Sequence, residues 1–373
     1  ELTASTAALI AEADLEVREL DRQAPDVRGL DALSRQLLRQ ESVGSSRIEG
    51  LVVGQRRLAR AAAGSPERDA TAAQIVGNVR AMEQAVALAV ESRPFTLDDI
   101  LAIHRTLLQG TFDERIAGVV RREQNWIGGS GYSPYSAAFV PPPPEYVAEL
   151  LDDLAAFLNL DDLPVTLQAA IAHAQFETIH PFLDGNGRVG RCLIHVVYRR
   201  RGLAETVVPP ISLVLATHAR EYVGGLTAYR TGELKDWLLL FAAATVKAVD
   251  RAHDLAFRVE ALREQWLDRL GRPRSHASSR ALLDQLAAEP VLTVARAAEL
   301  AGVSETAAAR AIAALQQAGI VVAPNRKWGR RWEAPEVFEL LDAFERDVAT
   351  PGDTTRPARP TPLRRTDRPK TTR

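Results

Sequence analysis

The sequence predicts a mainly α protein with one β-hairpin projecting from its helical body and a winged helix-turn-helix at its C-terminal end. Three observations lead there. Apolar residues recur every three or four positions through long Ala-rich stretches, strand-like runs are scarce, and a breaker-rich segment at Gly271-Arg-Pro-Arg-Ser separates a short second pattern from the first. A length of 373 residues fits two to three domains at about 150 residues each. Hydrophobic residues are 46% and charged residues 25%, which excludes a fibrous or disordered bulk. The longest nearly apolar run, residues 237–246, is far short of the roughly 20 residues that cross a bilayer, and no signal-peptide pattern opens the chain. The single cysteine, Cys192, excludes a disulfide framework and a Cys-based zinc cluster. The expectation is a cytoplasmic protein without a membrane span, its N-terminus trimmed because no initiator Met is present.

Each element has its own warrant. Residues 1–70 read as an N-terminal helical region. Helices are expected over 71–91, over 96–108 with Thr96, Asp98 and Asp99 at its start and Gly110 after its end, and over 145–158. Pro164 suits the first turn of another helix, and residues 234–270 form a long one. Between 118 and 144 the pattern changes to Val-Val-Arg-Arg-Glu-Gln-Asn-Trp-Ile, a Gly/Ser/Pro-rich bend, and Ala-Phe-Val before four prolines, which predicts the hairpin. The main body is thus 71–270. Within 275–349, helices near 278–288, 293–301 and 305–318, a Gly302-Val303-Ser304 turn, and segments 319–322 and 325–332 as a two-stranded wing give the winged helix-turn-helix. Residues 350–373 are Pro/Thr-rich with a local charge of +5 and are expected to stay unfolded.

The chemistry concentrates in His180-Pro-Phe-Leu-Asp-Gly-Asn-Gly-Arg-Val-Gly-Arg191, a loop between two apolar-periodic helices. Pro181 breaks the first helix, while Gly185 and Gly187 allow close backbone approach to a ligand. The second helix begins with unpaired amides and the positive end of its dipole at the loop, and Arg188 and Arg191 add fixed charge beside it. That is a polyphosphate cradle. His180 can accept a proton near neutral pH and Asp184 is a hard ligand for Mg2+, so phosphate chemistry is the expected function.

This segment matches without departure the Fic motif HxFx(D/E)GNGRxxR, and the chain resembles the Fic family over roughly residues 1–270. The resemblance implies a helical Fic fold, with residues 71–270 as catalytic core, that transfers AMP from ATP to a Ser, Thr or Tyr hydroxyl of a target protein. It makes His180 the base, puts Asp184 on Mg2+ at the α- and β-phosphates, and places Asn186 with the Gly185, Gly187 and Arg188 amides on phosphate oxygens. Arg191 would pair with the γ-phosphate, and Phe182 would anchor the loop. By the same resemblance the hairpin is a flap that aligns the target as an added strand, with Trp126 and Ile127 as flap residues, and Tyr222 in His218-Ala-Arg-Glu-Tyr contacts the adenine. Upstream, Ser45-Ser-Arg-Ile-Glu49-Gly50 resembles the (S/T)xxxE(G/N) inhibitory motif, which implies that Glu49 pairs with Arg191 and holds ATP in an unproductive pose.

The whole chain carries 46 Lys plus Arg against 48 Asp plus Glu, which argues against a surface devoted to polyanions. Residues 275–349 hold eight basic and ten acidic side chains. Duplex binding depends on phosphate contacts, so a protein partner or a homo-oligomer contact is favoured over DNA, although Arg326, Lys327, Arg330 and Arg331 would make a basic wing. Two other functions stay open at this point: a hydrolase that removes AMP at the same site, and a DNA-binding regulator that only senses nucleotide.

Overall fold

The computed structural model describes residues 2–23, 30–64, 69–129, 133–323 and 331–349. The helices are α1 (Ala4–Gln23), α2 (Leu30–Ile48), α3 (Gln55–Ala62), α4 (Ala70–Ala89), α5 (Leu97–Leu108), α6 (Pro144–Phe157), α7 (Val165–Ile179) and α8 (Asn186–Arg200). They continue with α9 (Ile211–Thr217), α10 (Ala219–Arg230), α11 (Leu234–Arg269), α12 (Ser278–Gln285), α13 (Val294–Ala301), α14 (Glu305–Gln317) and α15 (Pro335–Ala349). Two short antiparallel strands, β1 (Val291–Leu292) and β2 (Trp332–Glu333), pair with Leu292 opposite Trp332. None of the described helices is long and apolar enough to cross a membrane.

Local chemistry sets several boundaries. Asp69 caps α4 by accepting from the Ala72 amide at 3.1 Å, and the Thr96 amide donates to the Asp99 carboxylate at 2.8 Å to start α5. Ser304 and Thr293 cap α14 and α13 in the same way. α7 and α8 are buried on nearly all faces and form the centre of the bundle. α4 and α5 cover α8, α1 lies along α11, and α2 rests on α9.

Three expectations take a more particular form. Among the described residues the hairpin is held by an antiparallel bridge, Ile127 to Phe139. Its returning arm runs into Pro141 to Pro144, which have no N–H to extend a ladder. Its outgoing arm is drawn elsewhere, since the Arg121 amide donates to the Pro181 carbonyl at 2.9 Å. In the C-terminal module Val322 bridges Glu333, β1 adds an unforeseen strand on the other side, and α15 is an unforeseen closing helix. Most of the expected second wing arm, residues 324–330, and the tail 350–373 lie outside the described residues. Finally, the division at 70 and 271 does not mark separate cores: one apolar cluster runs from Ile10 on α1 to Val348 on α15.

Candidate active site

The site is built where α7 ends and α8 begins. His180 terminates α7 in the left-handed region, φ +47°, with its amide still donating to the Phe176 carbonyl at 2.9 Å. That turn folds Phe182 inward, fully buried, with its ring stacked on His104 at 3.7 Å between centroids. Asn186 then closes the loop on itself: its carboxamide accepts from the Phe182 amide at 2.8 Å and donates to the Phe182 carbonyl at 2.8 Å. Gly185, at φ +83°, starts α8. The first amides of α8 have no acceptor within the helix, which leaves an electropositive end at the loop.

Around this loop the charges are arranged for an anion. The Arg188 side chain is 4% exposed and donates to the Asp184 carboxylate at 2.7 Å. Its Nε and Nη1 atoms are buried without a hydrogen-bond partner, an arrangement that calls for an acceptor such as a phosphate oxygen. Asp184 keeps 47% of its side chain exposed. Among the described residues no group of three or more His, Cys, Asp or Glu side chains could hold a metal. The exposed Asp184 carboxylate is chemically able to share a Mg2+ with phosphates and water, a common mode for that ion.

His180 lies beside this cradle with its side chain 19% exposed. Burial, aided by the Arg230 cation, lowers its pKa to about 4, so the imidazole is unprotonated at neutral pH, with a ring nitrogen free to accept a proton. Its Nδ1 is buried, 4.0 Å from a Glu177 carboxylate oxygen, which leaves Nε2 to take up a proton. Burial raises Glu177 itself to about 7.

Arg191 is 1% exposed and is engaged mainly from the end of α2 and the turn that follows it. It donates from Nη2 to Glu49 at 2.7 Å and to the Ser45 carbonyl at 2.8 Å, and from Nε to the Ser45 hydroxyl at 2.9 Å. Burial opposes the Glu49 charge, but Arg191 outweighs it and holds the carboxyl below its ordinary pKa. Gly187 makes the room for this pair, because a Cβ there would lie 2.0 Å from the Glu49 carboxylate.

The loop residues, Ser45 and Glu49 thus converge in one place. Two others are held by neighbouring protein groups. Asn186 is 3% exposed and both ends of its amide meet Phe182, so it shapes the cradle. Tyr222 is 3% exposed, with its hydroxyl 2.8 Å from His173 Nε2 and 3.4 Å from Arg191 Nη1, so it braces the arginine from below and presents little surface to a base. Trp126 and Ile127 follow Asn125, whose amide donates to the His180 and Phe182 carbonyls at 3.3 and 3.0 Å, so the hairpin is tied to the loop.

Sequence reading missed the residues that hold this arrangement. Arg121 donates to the His180 carbonyl at 2.9 Å and the Glu123 carbonyl at 3.1 Å. His104 accepts from the Gly118 amide at 3.0 Å and meets the Asp184 carbonyl at 3.0 Å, which fixes its tautomer, and burial keeps it neutral with a pKa of about 4. Arg230 lies 3.9 Å over the Phe139 ring and donates to the Glu177 carbonyl at 3.2 Å, tying the flap to α7.

Comparison with known proteins agrees with this construction. Residues 94–198 match the Fic/DOC family and residues 7–87 match its N-terminal domain. Protein adenylyltransferase fic-1 of Caenorhabditis elegans is 34% identical over 168 residues, 44% of this chain and 30% of that protein. Protein adenylyltransferase Fic of Drosophila grimshawi is 31% identical over 180 residues, 48% of this chain and 34% of the relative. The chain thus spans about a third of the length of the curated relatives it matches. A Fic family protein from Desulfovibrio desulfuricans shares the fold over 90% of this chain and 97% of its own, with a TM-score of 0.55 at 19% identity. Fic-1 from C. elegans superposes over 68% of this chain and 73% of its own, with a TM-score of 0.50 at 25% identity.

Proposed function

We propose that this Fic/DOC family chain, matched over residues 7–87 and 94–198, transfers AMP from ATP to a hydroxyl side chain of a target protein. The observation that carries this reading is the pairing of a neutral, buried His180 with a helix start whose Arg188 has two buried, unsatisfied N–H groups. The triphosphate lies at the α8 N-terminus with Arg188 on its oxygens. Asp184 would hold Mg2+, which when bound would supply neutralisation of the phosphate charge. His180 Nε2 accepts the proton as the hydroxyl oxygen attacks the α-phosphorus. The new O–P bond replaces the bond to the β-phosphate bridging oxygen, and pyrophosphate leaves. Positioning and charge neutralisation supply most of the rate, with the base adding about 10²- to 10⁴-fold.

Glu49 is the brake in this scheme, because it occupies the guanidinium that would meet the γ-phosphate. The flap beside Ile127 offers the target an edge to lie along. The basic side chains Arg280 and Arg296 of the C-terminal module are paired with Asp284 and with Glu289 and Glu299, which supports a protein-facing role for a winged helix rather than a DNA-facing one. The opposing activity, hydrolysis of AMP from modified protein by water, has one observation in its favour: the Glu49 side chain is 39% exposed beside the loop, where it could orient water.

ATP labelled at the α- or γ-phosphate separates these readings. Transfer of AMP attaches only the α-label to protein, and His180→Ala abolishes attachment. Attachment of the γ-label, or labelling that survives His180→Ala, overturns the proposal. Release of AMP from premodified protein, lost in Glu49→Gly, identifies the hydrolase.

A further inference from the structure

Glu49 lies just past the end of α2, in the turn that leads to α3, where its amide donates to the Ser46 carbonyl at 3.1 Å and the Gly50 amide donates to the Arg47 carbonyl at 3.0 Å. The body of α2 is fixed independently of this turn. The buried Glu41 meets His195 of α8 at 3.0 Å and accepts from the Ser212 amide of α9 at 2.6 Å, and Asn78 of α4 donates to the Ser42 carbonyl at 2.9 Å. What remains to be positioned is the turn itself.

Its two ends are held by one carboxylate from far along the chain. Glu345 of α15 accepts from Arg47, in the last turn of α2, and from Gln55, the first residue of α3. The pair is largely shielded, with side-chain exposures of 25% for Arg47 and 17% for Glu345. A second anchor keeps α15 and α3 together: Glu333 pairs with Arg60 at 2.6 Å and Arg56 at 3.5 Å, and the Arg56 guanidinium lies 5.2 Å over the Phe338 ring. Arg47 stands two positions before Glu49, so a contact on it restrains the segment that delivers the inhibitory carboxylate to Arg191.

We propose that Glu345 and Arg47 are positioning residues for the brake: the C-terminal module, through α15, staples the turn after α2 so that Glu49 stays on Arg191. This rests on the proposed transferase reading for its catalytic consequence, but the staple itself is a statement about the turn. Loosening α15 frees the turn while α2 stays seated on α8 and α9, and the site opens to a productive triphosphate.

The test uses the full chain with Glu345→Gln and, separately, Arg47→Gln, each alone and combined with Glu49→Gly. Amide hydrogen exchange over residues 48–55 and attachment of α-labelled ATP to protein are both read. A partly shielded ion pair predicts about 3- to 10-fold faster exchange over that turn and a similar rise in labelling. The two single variants should act alike, and neither should add to Glu49→Gly. Unchanged exchange in both variants overturns the proposal, as does a rise in labelling that persists in the Glu49→Gly background. Faster exchange without labelling, even in Glu49→Gly, supports the staple and overturns the transferase reading instead.

Discussion

Replacing Glu49 by Gln keeps the size of the side chain and removes its charge, which isolates the electrostatic part of the brake. In the structure Arg191 gives one donor to Glu49 at 2.7 Å and retains its two contacts to Ser45. A hydrogen bond involving a charged group contributes about 1.5–3 kcal/mol and a neutral one about 0.5–1.5 kcal/mol. Because the Glu49 side chain is 39% exposed, solvent screening places the native contact in the lower part of its range, about 1.5–2 kcal/mol. Glu49→Gln then costs the closed state about 1 kcal/mol and Glu49→Gly the whole contact, which correspond to about 5-fold and about 10- to 30-fold shifts toward the open site. The assay is the initial rate of α-label attachment at saturating ATP and magnesium, with rates rising from wild type through Gln to Gly. A Gln variant equal to wild type beside an active Gly variant would refute the charge argument and make the obstruction steric.

Two further outcomes follow from the loop and its base. His180 has its pKa lowered to about 4 because burial disfavours the imidazolium, so in the Glu49→Gly protein the base is already deprotonated at pH 6 and loses function only as pH falls through about 4. The rate from pH 6 to 8 should carry no limb from this group, and any limb near 7 should vanish in Glu177→Gln, whose wild-type carboxyl burial raises to about 7; a limb near 6.5 that survives that change contradicts the assignment. Asn186→Ala removes both hydrogen bonds to Phe182, and since Asn125 still serves the Phe182 carbonyl, one buried amide is left unpaired. The expected loss is about 1–3 kcal/mol, read as a lower denaturant midpoint, and a change under about 0.5 kcal/mol would show that the loop does not depend on this clamp.

The loop from His180 to Arg191 was legible because its chemistry is local: helix, breaker, glycines, helix start and charges all lie within a dozen residues. The same locality explains the success with the α5 start at Thr96, where cap and acceptor are three residues apart. The residues that hold the loop were not legible. Arg121 and Asn125 act on backbone carbonyls of residues 55 to 59 positions away, and no side-chain pattern advertises a distant carbonyl. Tyr222 was read from a local string, but its burial against His173 and Trp237 depends on how α7, α10 and α11 pack. The hairpin was legible in part for a related reason. Ile127 pairs with Phe139 as the strand-like composition suggests, whereas the start of the outgoing arm, at Arg121, meets the distant Pro181 carbonyl.

The contributors to the arginine's restraint lie at residues 45–49, at 187–191 and at 345, an order that also governs the growing polypeptide on the ribosome. The segment bearing Glu49 is synthesised before residues 180–191, so Glu49 is already present when Arg191 emerges. The staple at Glu345 arrives last. If Glu345 fastens the turn as proposed, synthesis passes through an interval in which Glu49 and Arg191 are both present without that fastening.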